Sequence, residues 1–215
     1  MRLPGIVAAA LLMPALCAAQ DGAEHVPLQT DVSASGWEFA ATGYYYALDD
    51  QSDYFSAIAT ANRDALHLEA RYNYEALDSG SLFVGWTFAG GDALSWAFTP
   101  VLGAVFGSTQ GIAPGFEASL AYGLVDFYSE VEYVRDLDVR DDSFTYAWSE
   151  LGVSPLAWLR VGIVGQRSRV HESERDIQRG GFSQLTSGRL TLGAYVFNPD
   201  DSADRFVIVS LGATF

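Results

Sequence analysis

The chain contains no lysine: all 12 of its cations are arginine, set against 27 aspartates and glutamates, for a formal net charge of −15. A main role in binding nucleic-acid phosphate needs a basic face, and that composition excludes it. Histidine is limited to three residues and cysteine to Cys17, which gives no zinc-ligand spacing and no disulfide framework. Beyond the first twenty residues the chain also lacks any apolar run near the ~18 residues of a helical membrane span. Apolar residues nevertheless make up 49% and aromatics 13% of the 215 residues, so intrinsic disorder is ruled out as well. The length suits one domain or one small barrel.

Arg2 precedes an apolar stretch from Leu3 to Ala19, broken by Pro4, Gly5 and Pro14, and Cys17-Ala18-Ala19 ends it with small residues. Charge, apolar segment and small-residue site together predict a secretory signal peptide over 1–19, cut before Gln20. Pro14 argues against a membrane anchor. Cleavage removes the one cysteine, so stability must come from packing, strand pairing or the bilayer. Residues 20–36 read as a periplasmic leader, and 37–215 as the folded domain.

Along that domain the hydrophobic period is two, in segments of about ten residues. Leu66, Leu68, Ala70, Tyr72 and Tyr74 alternate with His67, Glu69, Arg71, Asn73 and Glu75. Phe127, Val131 and Tyr133 oppose Tyr128, Glu130 and Glu132, and Leu190, Leu192, Ala194 and Val196 oppose Arg189, Thr191 and Tyr195. Further strands are expected near 37–47, 54–61, 81–89, 93–106, 115–123, 143–151, 157–169, 180–185 and 205–215. The total is twelve, or ten without the two weakest, 54–61 and 180–185. Tight turns (62–64, 90–92, 124–126, 152–156, 186–188) alternate with looser links (49–53, 108–114, 136–142, 171–179, 198–204), as in a meander threading a membrane. The fold class is therefore all-β: an antiparallel up-and-down transmembrane barrel. Aromatic belts are expected outside it. Tyr44, Tyr45, Tyr46, Tyr72, Tyr74, Tyr133, Phe144 and Tyr146 would lie at the outer interface, and Trp86, Phe88, Trp96, Phe98 and Tyr122 at the inner one.

With its signal peptide, amphipathic strands and last segment Arg205-Phe-Val-Ile-Val-Ser-Leu-Gly-Ala-Thr-Phe215, the chain resembles bacterial outer-membrane β-barrels. In size and strand count it is most similar to small monomeric twelve-stranded channels for acidic oligosaccharides, without a diagnostic motif or an evident basic lumen. The resemblance implies export to the outer membrane, contact with its lipid and lipopolysaccharide, and Phe215 as a signal read by the barrel-assembly machinery. It does not fix a function, because such barrels include porins, enzymes, adhesins and scaffolds.

If the apolar faces meet lipid, the opposite faces bring Glu38, Glu69, Arg71, Glu75, Glu117, Glu130, Glu132, Arg160 and Arg189 into the lumen. Glu130 and Glu132, adjacent on one strand, are the pair expected to shape selectivity. Glu150 is left out because it shares a face with Tyr146 and Trp148. Gly85, Ala121, Gly162 and Gly193 could leave lumenal space or ease curvature. The carboxylate excess predicts a narrow diffusion channel for small solutes or ions that favours cations. The alternatives are a barrel plugged by its own ion pairs, acting as a structural or surface-interaction element, and a lipid-modifying hydrolase. The last rests on His171-Glu172-Ser173, which resembles the His-x-Ser pair of an outer-membrane lipid A deacylase without that family's adjoining motif. No catalytic trio and no cofactor are implied, so the expectation is not an enzyme. Asp49, Asp50, Asp53, Asp200, Asp201 and Asp204 are weak candidates for calcium or magnesium, since the first and last strands of a closed barrel pair.

Overall fold

The computed structural model describes residues 36–48, 52–170, 176–202 and 204–215; the expected signal peptide and nearly all of the leader lie outside them. The alternating segments form β1 (Glu38–Leu48), β2 (Tyr54–Arg63), β3 (Leu66–Tyr72), β4 (Ser79–Trp86), β5 (Phe88–Gly90), β6 (Leu94–Gly107), β7 (Gly111–Tyr122), β8 (Val125–Asp136), β9 (Phe144–Leu156), β10 (Leu159–Val170), β11 (Asp176–Ser187), β12 (Leu190–Phe197) and β13 (Phe206–Thr214). β4 and β5 both pair with β6 and form one wall strand, interrupted at Thr87, whose N–H bonds Ala65 of the preceding turn. The barrel therefore has twelve strands, all antiparallel. The two weakest sequence segments are full members of it, as β2 and β11.

Closure is made by β1 against β13, from Ala40↔Thr214 to Leu48↔Phe206, so no sheet edge is left to aggregate. One end carries short turns such as Gly123-Leu124 and Gly188-Arg189, where each glycine takes φ 59°. That positive φ is what a two-residue hairpin requires. The turn expected at 152–156 is instead strand: β9 runs to Leu156, and a register shift between Leu159 and Val161 absorbs the irregularity.

The wall is inverted relative to a soluble protein. Leu82, Leu102, Ile163, Leu192 and Leu211 point outward, each half or more exposed, while Glu69, Arg71, Glu75, Glu130 and Glu132 are buried inside. Only a bilayer satisfies such a surface, because the aliphatic band would otherwise face water.

The outer aromatic belt differs from expectation. Tyr45, Tyr72 and Tyr133 do face outward, but Tyr44, Tyr46, Tyr74, Phe144 and Tyr146 are buried in the interior. They pack there with Trp148, Tyr195, Phe197 and Ile208. On β9 the reason is visible. Phe144, Tyr146 and Trp148 share their face with Glu150, and a carboxylate facing lipid costs far more than an aromatic ring facing inward. The whole face turns in together, because strand side chains keep a period of two. The inner belt matches: Trp86, Phe88, Trp96, Phe98 and Tyr122 are all exposed on the outer wall near the short turns.

Candidate functional site

The interior is organised around two arginines. Arg71 projects from β3 and meets four carboxylates: Glu69 at 2.8 Å, Glu75 at 3.6 Å, Glu130 at 2.7 Å and Glu132 at 3.0 Å. Glu69 comes from the same strand, while Glu130 and Glu132 reach across from β8. The guanidinium carbon also lies 4.1 Å from the ring centres of both Tyr74 and Phe83. A planar, permanently charged fork is suited to such shared contacts in a way an ammonium is not. All of these side chains leave almost none of their surface to water, so the hub narrows the barrel at its level.

Segment 73–78 adds to the narrowing. The alternation expected through Glu75 stops at Tyr72, because Asn73 takes φ 51° and Asp78 φ 58°. Asn73 caps the fold-in from both sides, its Nδ2 donating to Phe55 O at 2.9 Å and its Oδ1 accepting from Asp78 N–H at 2.8 Å. Tyr74 and Glu75 are thereby carried into the lumen, where the Tyr74 hydroxyl donates to Glu130 Oε2 at 2.6 Å and Ser81 Oγ donates to Glu75 Oε1 at 2.7 Å. Tyr74 thus lies inside rather than on the outer face with Tyr72.

The second centre is Arg160 on β10. It pairs with Asp126, and with Glu150 at 2.5 Å; its Nη1 also donates to Gln184 Oε1 at 3.0 Å. The Phe182 ring covers it at 4.6 Å. Glu150, set aside in the sequence reading, is therefore an interior residue, and it also accepts from Trp148 Nε1 at 3.2 Å. The signal that could have found it is Arg160, an inward-facing cation followed by six uncharged residues before Arg167, which needs a partner across the hairpin.

Of the residues expected to line the lumen, Glu69, Arg71, Glu75, Glu117, Glu130, Glu132 and Arg160 lie inside. Two do not sit within the wall. Glu38 has the inward phase of β1 but is exposed at the short-turn mouth, and Arg189 is exposed in the turn before β12. The small residues open no passage where their surroundings are packed. A Cβ on Gly162 would collide with the Leu151 carbonyl oxygen and lie 2.8 Å from the Phe182 ring, so that glycine admits a neighbouring strand and side chain.

Among the described residues, interior carboxylates outnumber guanidinium groups seven (Glu69, Glu75, Glu117, Glu130, Glu132, Glu150, Asp126) to two. Side-chain oxygens of Glu75, Glu117 and Glu132 there are buried without a hydrogen-bond donor.

In the loops, Asp49, Asp50, His171 and Ser173 lie outside the described residues. Asp53 accepts from Tyr45 Oη at 2.5 Å and from Leu48 N–H at 3.1 Å, which holds its carboxyl below the usual aspartate range. Asp200 is held below it by Arg179, whose Nη2 donates at 2.6 Å. Neither joins Asp201 or Asp204 in a convergent oxygen cluster: the one group of three metal-ligating side chains among the described residues is His67, Glu69 and Glu117.

No family model and no curated protein matches the chain. Solved structures do. One described as the KdgM porin superposes with a TM-score of 0.64 at 9% identity, covering 82% of this chain and 99% of that one. The KdgM porin in complex with disordered oligogalacturonate gives 0.62 at 9% identity over the same shares. The NanC porin gives 0.55 at 11% identity, covering 82% and 98%. The shared feature is the fold, that of outer-membrane porin barrels.

Proposed function

We propose that the protein is a monomeric outer-membrane channel of narrow bore that favours small cations, with the Arg71 hub and segment 73–78 as its constriction. The observation that carries this is the seven-to-two excess of interior carboxylates over guanidinium groups. A scaffold held only by internal pairing has no need of such an excess, since every unmatched buried charge costs folding energy. In a conduction path the same excess lowers the energy of a cation and raises that of an anion. The description of the structural neighbours as porins supports a channel. The solute differs: a carboxylate-rich interior repels an oligogalacturonate anion of the kind bound by one of those porins. Phe215 follows the closing strand at the short-turn end of the barrel with its N–H on Phe39 O at 2.8 Å, where the assembly machinery would read it.

The test is single-channel recording of the refolded protein in planar bilayers under a salt gradient. Cation-selective steps are expected, with selectivity reduced by Glu130→Gln combined with Glu132→Gln. Silence from folded, inserted protein overturns the channel. A second reading is favoured by one observation: Tyr44, Tyr46, Tyr74 and Glu75 are fully buried inside the barrel. That packing suits a plugged barrel whose function lies in its loops, and silence in the same recording would support it.

A further inference from the structure

We infer that the lumen near the short-turn mouth holds a site for a divalent transition-metal ion of the zinc type, formed by His67, Glu69 and Glu117. The inference goes beyond the channel and does not rest on it. The three side chains come from β3 and β7 and point into one volume, with their ligand atoms all within 4.8 Å of one another. His67 Nε2 lies 3.4 Å from Glu69 Oε2 and 4.0 Å from Glu117 Oε1. Neighbouring ligands of a tetrahedral zinc ion with bonds of about 2.0–2.1 Å are about 3.3–3.5 Å apart, so a small contraction closes the set.

The imidazole is prepared for this. Asn62 stands opposite His67 across the β2–β3 hairpin, and its Oδ1 lies 2.8 Å from His67 Nδ1. In the metal-bound form the ring proton sits on Nδ1 and is donated to Asn62 Oδ1, which frees Nε2, now in hydrogen-bond contact with Glu69 Oε2 at 3.4 Å, to be the ligand atom. That is the outer-shell arrangement that orients a metal-binding histidine.

Glu117 supplies the independent observation. Its Oε1 is buried and accepts no hydrogen bond, although it is aimed at His67. Its directly opposed neighbour on β8 is Glu130, another carboxylate. Glu69 is oriented from the other side by Arg71, whose Nε donates to Oε1 at 2.8 Å. Arg71 Nη2 also donates to Glu69 Oε2 at 3.1 Å, so a bound cation would supply the partner that Glu117 Oε1 lacks. Nitrogen with carboxylate oxygen suits zinc-like ions, whereas magnesium and calcium take oxygen alone. Three protein ligands leave a fourth position open toward the lumen.

The experiment is calorimetric titration of zinc chloride into the full chain refolded in lipopolysaccharide-free detergent, with excess magnesium present to occupy oxygen-only loop sites. One zinc per barrel is expected. His67→Ala and Glu117→Gln should each weaken binding at least about tenfold, and Asn62→Leu, which leaves all three ligands in place, about tenfold. Asp200→Asn, in the loops, should leave it unchanged. The folded state of each variant is checked by its heat-modifiable mobility on gels. Absence of zinc binding by the wild-type chain overturns the site, as does equal affinity in folded His67→Ala and Glu117→Gln. Because the readout is binding rather than conductance, a silent channel would leave this result standing.

Discussion

Replacing Arg71 with methionine removes the one cation shared by Glu69, Glu75, Glu130 and Glu132, which lie 2.7–3.6 Å from it. Methionine keeps an unbranched apolar stem while deleting the guanidinium and its charge. Breaking a buried pair by removing one partner costs about 3–5 kcal/mol, because the other charge is left uncompensated. The cation–π contacts to Tyr74 and Phe83, at 4.1 Å each, add up to about 2 kcal/mol in a desolvated setting. Since these contributions share one side chain and are not additive, the expected loss is about 4–6 kcal/mol. Urea unfolding of the refolded barrel in detergent, followed by tryptophan fluorescence, measures it. Adding Glu130→Gln and Glu132→Gln to the methionine variant removes two of the four orphaned anions and should recover much of the loss. The two glutamines alone should be far milder, because Arg71 keeps Glu69 and Glu75. The same variant bears on permeation: if the hub is the constriction, conductance rises and cation selectivity sharpens. Stability within about 1 kcal/mol of wild type would refute the hub as a structural centre, since that is the range of an exposed ion pair.

Three further outcomes follow from particular contacts. Tyr74→Phe deletes the hydroxyl that donates to Glu130 at 2.6 Å and should cost about 1.5–3 kcal/mol, the range for a hydrogen bond to a charged group, in the same unfolding assay. Gly103→Ala places a Cβ against the Phe83 ring, an overpacking worth about 1–3 kcal/mol that Phe83→Leu should relieve when combined with it. In the outer loop, the Asp53 carboxyl should titrate by NMR below the ordinary aspartate range, and Tyr45→Phe should move it back up. A carboxyl lowered on folding contributes stability above its unfolded pKa, so the loop anchor it makes is lost as pH falls through the folded value.

Much of the architecture is legible in the chain because strand alternation and turn chemistry are local. The two-residue period of 66–72 and 190–197 marks β3 and β12 directly. Glycines at 123 and 188 mark the hairpins because their positive φ is a property of the residue itself. The inward phase of Glu69, Arg71, Glu130 and Glu132 is likewise visible, since each alternates with residues suited to lipid.

What could not be read locally depends on competition and closure. Tyr146, Trp148 and Glu150 share a face, and its direction is chosen by the cost of exposing Glu150 to lipid against its pairing with Arg160 on the next strand. Tyr74 and Glu75 continue the alternating pattern in sequence yet leave the wall, because Asn73 turns the chain and bonds Phe55 on the neighbouring strand. His67, Glu69 and Glu117 carry no recognisable spacing, the third lying 48 positions after the second. The alternating chain thus specifies strands, their order and their two faces. Barrel closure and strand register set which inward side chains meet across the lumen, because those distances are properties of the whole ring of hydrogen-bonded neighbours and of no single segment.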